Sequence, residues 1–288
     1  MATPEAIGTR ISKWGEGPVW SGDRLLYVDI EGKAIVRLDP DEGTESILDV
    51  GQRVGFAVPC RSGRLLFGGD HGLFFMDPAT GETTPIHDPE PDLAANRFND
   101  GKCSPDGRLF AGTIATDKAT GAARLYRLDP DLGCSVVYRP VTNSNGLAWS
   151  GDGRTLYYID TPSKEVKAFA YDAGNGTLDC PRRVVDCSRE EASPDGMTID
   201  AEDRLWIALC HGGRVARFDP ASGEKLEEIA LPAHETTSCC FGGPDHKDLF
   251  VTTGRCPARP GDQGGRVFVI RGLPVGGRPV VPFEDVGA

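Results

Sequence analysis

The chain has 288 residues, 39% of them hydrophobic and 26% charged, which is the composition of a globular protein able to bury a large core. Its formal net charge of −12 repels nucleic acid and anionic membrane surfaces, so we expect neither as a partner. No apolar run reaches the roughly 20 residues that span a bilayer as a helix.

The first predicted element is a polar turn followed by an apolar strand, and this unit recurs along the chain. It begins at residues 22–29, where Arg24 ends the turn. The copies are about 40 to 50 residues apart, the length of a four-stranded propeller blade. The basic residues that mark the six turns are Arg24, Arg64, Arg108, Arg154, Arg204 and, in a weaker copy, Lys247.

A third strand follows each copy, and several of these strands alternate apolar and polar residues as half-buried antiparallel strands do. They are predicted at residues 34–40, 72–78, 124–130, 166–172, 214–220 and 266–270. A fourth, outer strand is predicted in four copies, at residues 46–48, 135–138, 183–185 and 227–230. The sequence therefore predicts an all-β fold, a six-bladed β-propeller of four-stranded antiparallel blades. We expect one domain over residues 1–288, with the propeller core from about residue 14 to about residue 271.

The turn residues also locate one equivalent position at the entrance of each innermost strand. The separation from this position to the basic residue of the turn is the same in five blades and one residue shorter in the first. We call these the slot positions: Glu16, Gly55, Asn99, Asn145, Asp195 and Ser238. Four of the six hold a carboxylate or a carboxamide, and rotation about the propeller axis would bring these four side chains together at the channel mouth.

Two carboxylates and two carboxamides, without cysteine or histidine, are the ligands of a hard cation. Ca²⁺ suits them best, Mg²⁺ or Mn²⁺ would also fit, and Zn²⁺ is less suited. Four oxygens do not fill the six to eight positions around Ca²⁺, so water or substrate would complete the coordination. An incompletely coordinated ion is what Lewis-acid catalysis needs.

A simpler interpretation is that Asn-Gly and Asp-Gly are turn signals. The equivalence of the positions across blades favours a shared site instead. Arg97 lies two residues before Asn99 and faces the same way on a strand, so its guanidinium would bind sugar hydroxyls or a carboxylate, or form an inter-blade salt bridge. Asp100 is expected to face the other way and to form backbone or inter-blade hydrogen bonds.

Five short motifs occur in order at or around the slot positions: residues 15–20 (GEGPVW), 97–102 (RFNDGK), 144–147 (SNGL), 194–197 (PDGM) and 236–243 (TTSCCFGG). Together they resemble the signatures of the senescence marker protein/regucalcin/gluconolactonase family. The resemblance extends from about Trp14 to about Arg271, nearly the whole chain.

This resemblance implies a six-bladed propeller with one divalent metal on its axis and hydrolysis of sugar lactones. It implies that Glu16, Asn145 and Asp195 are the metal ligands, whereas Arg97 and Asn99 bind the substrate. The four-ligand interpretation is thereby reduced to three ligands, with more open coordination.

The sequence departs from the animal members of this family in three places. The loop at residues 115–123 is short and lacks the glutamate that contacts the sugar in those members, and the segment at residues 256–264 is abbreviated. His211 replaces a residue of different chemistry and is a candidate pocket-lining residue. These differences bear on the identity of the substrate and not on the metal centre.

The nine cysteines are an odd number and include no Cys-x-x-Cys pair. This pattern, together with a start that lacks an apolar signal segment, favours reduced thiols in a cytoplasmic protein over a disulfide framework or a cysteine zinc site. Cys239 and Cys240 are expected to be small core residues. We expect a monomer or a weak homodimer.

The predicted function is hydrolysis of an aldono-1,5- or 1,4-lactone, a small sugar lactone, by one divalent cation. Asp195 would be the general base that activates water through the oxygen that does not ligate the metal. The alternatives are a Ca²⁺-binding regulatory protein without turnover and a phosphotriesterase or arylesterase activity at the same open metal. A scaffold of the WD40 or kelch type would not need the four slot oxygens, and a serine hydrolase would need the Gly-x-Ser-x-Gly motif that this chain lacks.

Overall fold

The computed structural model describes residues 3–285, which form strands joined by tight turns, with one 3₁₀ turn at Thr161–Ser163. The strands, in chain order, are β1 (Glu5–Ile7), β2 (Gly15–Ser21), β3 (Arg24–Asp29), β4 (Ala34–Leu38), β5 (Glu45–Asp49), β6 (Val54–Pro59), β7 (Leu65–Gly69), β8 (Gly72–Met76), β9 (Thr83–His87), β10 (Asn96–Cys103), β11 (Leu109–Ala115), β12 (Ala123–Leu128), β13 (Cys134–Val141), β14 (Ser144–Trp149), β15 (Thr155–Asp160), β16 (Glu165–Asp172), β17 (Thr177–Asp186), β18 (Ser193–Ile199), β19 (Leu205–Cys210), β20 (Arg214–Phe218), β21 (Lys225–Ala230), β22 (Glu235–Gly242), β23 (Asp248–Gly254) and β24 (Val267–Ile270).

These strands form six antiparallel sheets of four strands, which confirms the predicted six-bladed propeller. Five blades are consecutive runs of the chain, β2–β5, β6–β9, β10–β13, β14–β17 and β18–β21. The sixth blade combines β22, β23 and β24 with β1, where Glu5 pairs with Val269 and Ile7 with Val267. The sequence analysis did not identify β1 as this closing strand, nor did it identify the outer strand β9.

The first strand of each blade contacts the first strands of both neighbouring blades, so β2, β6, β10, β14, β18 and β22 form a closed ring around the axis. The inner strands are buried, whereas the outer strands β5, β9 and β21 are largely exposed. The apolar core consists of six clusters, each between two adjacent blades. Cys239 and Cys240 are 1% and 5% exposed, as predicted for core residues.

Every inner strand is interrupted by a break in register at its slot position. The pairing skips residues between Glu16 and Val19, between Phe98 and Asp100 and, in the other inner strands, between Val54 and Phe56, Asn145 and Leu147, Pro194 and Met197, and Thr236 and Ser238. A β-bulge bends the strand and redirects a side chain that regular alternation would place elsewhere. The bulges are thus the local structure that turns slot side chains toward the axis.

Within the described residues, no helical segment has the length and apolar character that crossing a membrane requires.

Candidate metal centre

Three slot side chains at the top of the channel are nearly inaccessible to solvent. Glu16, Asn145 and Asp195 are 6%, 3% and 7% exposed, and they come from β2, β14 and β18. Charged side chains are rarely buried to this degree without a partner. The charge of Asp195 acts on Glu16, and the Asp195 carbonyl lies against Gly146, so the structure brings together residues that are up to about 180 positions apart in the sequence.

Glycine follows each of two ligand candidates because the bulge requires it. Gly17 has φ +50° and Gly146 has φ +24°, in the region that side chains avoid. A Cβ on Gly146 would also lie 2.8 Å from the carbonyl oxygen of Asp195. The motif glycines therefore allow adjacent slot backbones to approach each other closely.

The two slot positions without a carboxylate or a carboxamide, Gly55 and Ser238, contribute to the packing between blades. A side chain at Gly55 would meet the backbone oxygen of Asn99 at 2.6 Å, so the neighbouring blade occupies that space. Ser238 is 5% exposed and lies against Gly196, which has no room for a Cβ.

The Asn145 carboxamide is oriented by hydrogen bonds on both sides. Its Nδ2 donates to Thr161 Oγ1 at 2.9 Å, and Thr161 Oγ1 in turn donates to the carbonyl of Pro194 at 2.9 Å. Its Oδ1 accepts from Asn99 Nδ2 at 3.2 Å. The Oδ1 of Asn145 is thereby turned toward the side on which Asn99 lies.

Asn99 presents its nitrogen, and not its oxygen, to the other slot residues. Its Nδ2 also faces Asn143 Oδ1 at 3.1 Å and the carbonyl of Ser144 at 2.8 Å. Its Oδ1 accepts from Arg97 Nη1 at 3.0 Å. An amide oxygen held by a guanidinium is a poorer cation ligand than a free one, because the guanidinium repels the cation.

The two buried carboxylates destabilise each other's charged form. Burial, followed by the negative charges of Asp195 and Asp100, raises the pKa of Glu16 well above its usual value. Burial and the charge of Asp100 raise the pKa of Asp195 in the same direction, and the thiol of Cys210 opposes this by a hydrogen bond. No lysine or arginine among residues 3–285 forms an ion pair with Glu16 or with Asp195.

The donor set fits a hard divalent cation. Two unpaired carboxylates supply two negative charges, Asn145 supplies an oriented amide oxygen, and neither sulfur nor nitrogen belongs to this set. The Oε2 of Glu16 accepts from the backbone N–H of Gly17 at 2.8 Å, which fixes the carboxylate while leaving its other oxygen free. A bound cation would reverse the sign of the local electrostatics and hold both carboxylates ionised.

Arg97 lies at the edge of this ring with a half-buried side chain. Its Nη1 donates to the carbonyl of Phe98 at 2.8 Å, and its Nε is buried with no hydrogen-bond partner in the described chain. Burial and the charge of Arg53 lower the pKa of Arg97 to about 10. The Nη2 forms no hydrogen bond within residues 3–285 and is not fully buried, so it is the donor available to a ligand.

Asp100 belongs to the electrostatics of the site, which the sequence analysis did not recognise. It is 8% exposed, and its Oδ1 accepts from the backbone N–H of Gly101 at 2.8 Å, the kind of backbone contact that was expected. Yet its charge raises the pKa of both Glu16 and Asp195. The bulge just before Asp100 explains this proximity, and period-two alternation gives no sign of it.

A second group of side chains lies between blades five and six, beside Asp195. His211 Nδ1 is 2.6 Å from Glu235 Oε2, and Cys210 Sγ donates to the same oxygen at 3.4 Å. His211, predicted as a candidate pocket residue, has a side chain that is 56% exposed. The sequence analysis missed Cys210 and Glu235, although Glu235 lies only three residues before the slot residue Ser238.

An apolar cavity of about 310 Å³ lies at the other end of the channel. It is lined by the later residues of the inner strands, such as Val19, Lys102 and Trp149, and by the segment at residues 278–281. None of the metal-ligand candidates lines it, so it is separate from the candidate metal centre.

A family model described as the SMP-30/gluconolactonase/LRE-like region matches residues 14–255. Regucalcin of Gallus gallus is 38% identical over 293 residues, covering 97% of this chain and 97% of that protein. Among solved structures, a luciferin-regenerating enzyme superposes with a TM-score of 0.93 at 28% identity, covering 99% of this chain and 100% of that chain. A calcium-binding protein, regucalcin, from Agrobacterium tumefaciens superposes with a TM-score of 0.90 at 26% identity, covering 97% of this chain and 98% of that chain.

Proposed function

The chain belongs to the SMP-30/gluconolactonase/LRE-like family, and we propose that it is a divalent-metal-dependent hydrolase that opens sugar lactones to aldonic acids. Family membership supports a lactonase-like or a regucalcin-like role. The observation that most favours a metal centre is the pair of buried carboxylates, Glu16 and Asp195, which lie close enough to interact and form no ion pair with a lysine or arginine of residues 3–285. The proposed substrates are aldono-1,5- and 1,4-lactones.

The proposed ligands are Glu16, Asn145 and Asp195. The oxygen of Asn99 is already engaged by Arg97, which supports three protein ligands instead of four. Ca²⁺ is the favoured ion, with Mg²⁺, Mn²⁺ or Zn²⁺ as the alternatives to be compared. When bound, the ion supplies Lewis-acid polarisation of the lactone carbonyl.

Asp195 is the proposed general base. Asp195 would hold the ion through one carboxylate oxygen, and its other oxygen accepts a proton from the attacking water and later returns it to the ring oxygen that leaves. Its burial at 7% exposure excludes bulk water from the carboxylate. In the metal-free protein, burial and the negative charge of the neighbouring Asp100 raise the pKa of Asp195.

Arg97 and Asn99 position the substrate. The Nη2 of Arg97 donates to a sugar hydroxyl, while its Nη1 keeps the Asn99 amide fixed. Fixing the hydroxyls relative to Asp195 lowers the entropic cost of reaching the transition state. The nine unpaired cysteines support a reducing compartment, and we propose the cytoplasm.

The test is a hydrolysis assay over a panel of pentono- and hexonolactones. The protein is stripped with EDTA and reloaded with Ca²⁺, Mg²⁺, Mn²⁺ or Zn²⁺ in turn. Chelation should abolish turnover of at least one lactone, and Asp195→Asn should lower kcat by roughly 10²–10⁴-fold. Asp41→Asn, at an exposed side chain outside the site, is the control that should keep full activity. Undiminished hydrolysis by the chelated protein or by Asp195→Asn would refute the proposal.

A Ca²⁺-binding regulatory role is the second candidate, favoured by the likeness to the calcium-binding regucalcin from Agrobacterium tumefaciens. It uses the same three ligands but requires no general base. The regulatory role would be selected over the hydrolase by two results together. Wild type would bind Ca²⁺ tightly and Asp195→Asn would weaken that binding, while no lactone in the panel is hydrolysed.

A further inference from the structure

The cluster of Cys210, His211 and Glu235 lies on the channel rim where blades five and six meet. Cys210 is the last residue of β19, and Glu235 is the first residue of β22. Their ligand atoms and that of His211 all lie within 4.8 Å of one another. Cys210 and Glu235 are 4% and 7% exposed, whereas the side chain of His211 is 56% exposed. A ligand here would therefore contact two buried side chains and one that faces solvent.

The backbone brings two adjacent side chains to the same side. Neighbouring residues of a strand point to opposite faces, and Cys210 and His211 would do so if β19 continued. His211 instead has φ +64°, in the left-handed region that histidine adopts more readily than most residues. This turn directs its imidazole back to Glu235, at 2.6 Å.

The separations suit a small tetrahedral ion. Bonds of about 2.0–2.3 Å from Zn²⁺ to sulfur, nitrogen and oxygen place neighbouring ligand atoms roughly 3.3–3.8 Å apart. Cys210 Sγ and Glu235 Oε2 are 3.4 Å apart, within this range. The contact from His211 to Glu235 is shorter, at 2.6 Å, and the exposed imidazole can swing outward to make room for an ion.

The charges around the cluster favour a cation. The carboxylates of Asp195 and Glu235 both lie close to Cys210. Several groups that favour a cation therefore meet where no lysine or arginine of residues 3–285 forms an ion pair with Glu235.

We propose that Cys210, His211 and Glu235 form a second cation site, selective for a borderline-soft divalent ion such as Zn²⁺. Sulfur, nitrogen and one carboxylate are the donors typical of zinc, whereas the axial centre offers only oxygen. The two sites thus separate cations by softness. The absence of Cys-x-x-Cys pairs argued against a cysteine zinc site, but here the ligands come from two chain segments that the propeller brings together.

Cobalt(II) is the probe, because it replaces Zn²⁺ and shows a thiolate-to-metal absorption band in the near ultraviolet only when sulfur binds it. The metal-stripped full-length protein is titrated with CoCl₂, and bound metal is counted by mass spectrometry. Wild type should bind two ions per chain and show the band. Cys210→Ser should bind one ion and lose the band. Glu16→Gln, which removes a ligand of the axial centre, should bind one ion fewer and keep the band. The two variants therefore test the two sites independently.

His211→Asn is a second variant, used in case Cys210→Ser does not fold. It should fold because the residue is exposed and asparagine tolerates a positive φ. It should weaken cobalt binding at this site by about tenfold or more. Cys180→Ser, at an exposed cysteine outside the cluster, is the control and should leave the band unchanged. A wild-type titration without the thiolate band, or a band of full intensity in Cys210→Ser, would overturn the proposal.

Discussion

Replacing Glu16 with glutamine should have opposite effects on the metal-free and the metal-bound protein. In the chelated protein Glu16 is 6% exposed and repelled by Asp195 and Asp100, so the neutral amide of the same shape relieves strain. In the Ca²⁺-bound protein the same substitution removes a charged ligand. A residue with only a structural role would shift both states in one direction.

The magnitudes follow from burial and from linkage. Removing one of two repelling buried carboxylates should stabilise the chelated protein by about 1–2 kcal/mol. Loss of one carboxylate ligand should weaken Ca²⁺ binding by about 100-fold, which removes about 2.7 kcal/mol of ligand-linked stability. For a chain of 288 residues, that loss corresponds to a Ca²⁺-dependent rise in Tm smaller by roughly 4–5 °C.

Differential scanning calorimetry with EDTA and with excess Ca²⁺ measures both effects. Glu90→Gln is the matched control, since Glu90 is also buried, at 8% exposure, but is paired with Arg124 and Tyr126. It should lower Tm equally under both conditions. If Glu16→Gln also lowers Tm equally with and without Ca²⁺, the assignment of Glu16 as a ligand is wrong.

Three further predictions concern the supports of the site and the fold. Gly146→Ala should destabilise the protein by about 2–4 kcal/mol, because φ is +24° and the new methyl meets the Asp195 carbonyl. Gly22→Ala, at φ +65° but with open space around it, should cost only the backbone strain of about 1–2 kcal/mol in chemical denaturation, and a larger cost than that of Gly146→Ala would contradict the steric reasoning. Arg97→Lys should raise KM for the lactone about tenfold with a smaller change in kcat; a fall in kcat at constant KM would argue against a substrate-binding role. Asp285→Asn should cost about 1–2 kcal/mol at pH 7, because hydrogen bonds from Ser62 and Arg64 outweigh burial and lower the pKa of Asp285. That stability is present above the usual aspartate pKa and is lost as the pH falls through the lowered one, so the denaturation midpoints of the two proteins should converge in acid; a constant gap down to pH 2 would refute this pairing.

The propeller was predictable because each blade repeats the same turn before the same strand. The basic turn residues, Arg24 among them, gave the blade count, and their spacing gave the slot positions without any knowledge of contacts. The closing strand β1 was not predictable in this way. It lies outside the repeat, and only three residues, Glu5–Ile7, pair with β24.

The slot side chains were predictable as a set, but their hydrogen bonds were not. Nothing in the order of residues shows that Asn99 directs its nitrogen to Asn145 and its oxygen to Arg97. The influence of Asp100 depends on a bulge that reverses strand alternation locally. The cluster around Glu235 depends on a left-handed turn at His211, which a sequence pattern does not specify.

The most direct test of the metal centre is a crystal structure of the protein grown with CaCl₂, with the ion identified by its anomalous scattering. We predict one Ca²⁺ on the propeller axis, about 2.3–2.6 Å from oxygens of Glu16, Asn145 and Asp195, with solvent in its open positions. An axial channel without an ion at saturating Ca²⁺, or an ion that contacts fewer than these three residues, would contradict the account.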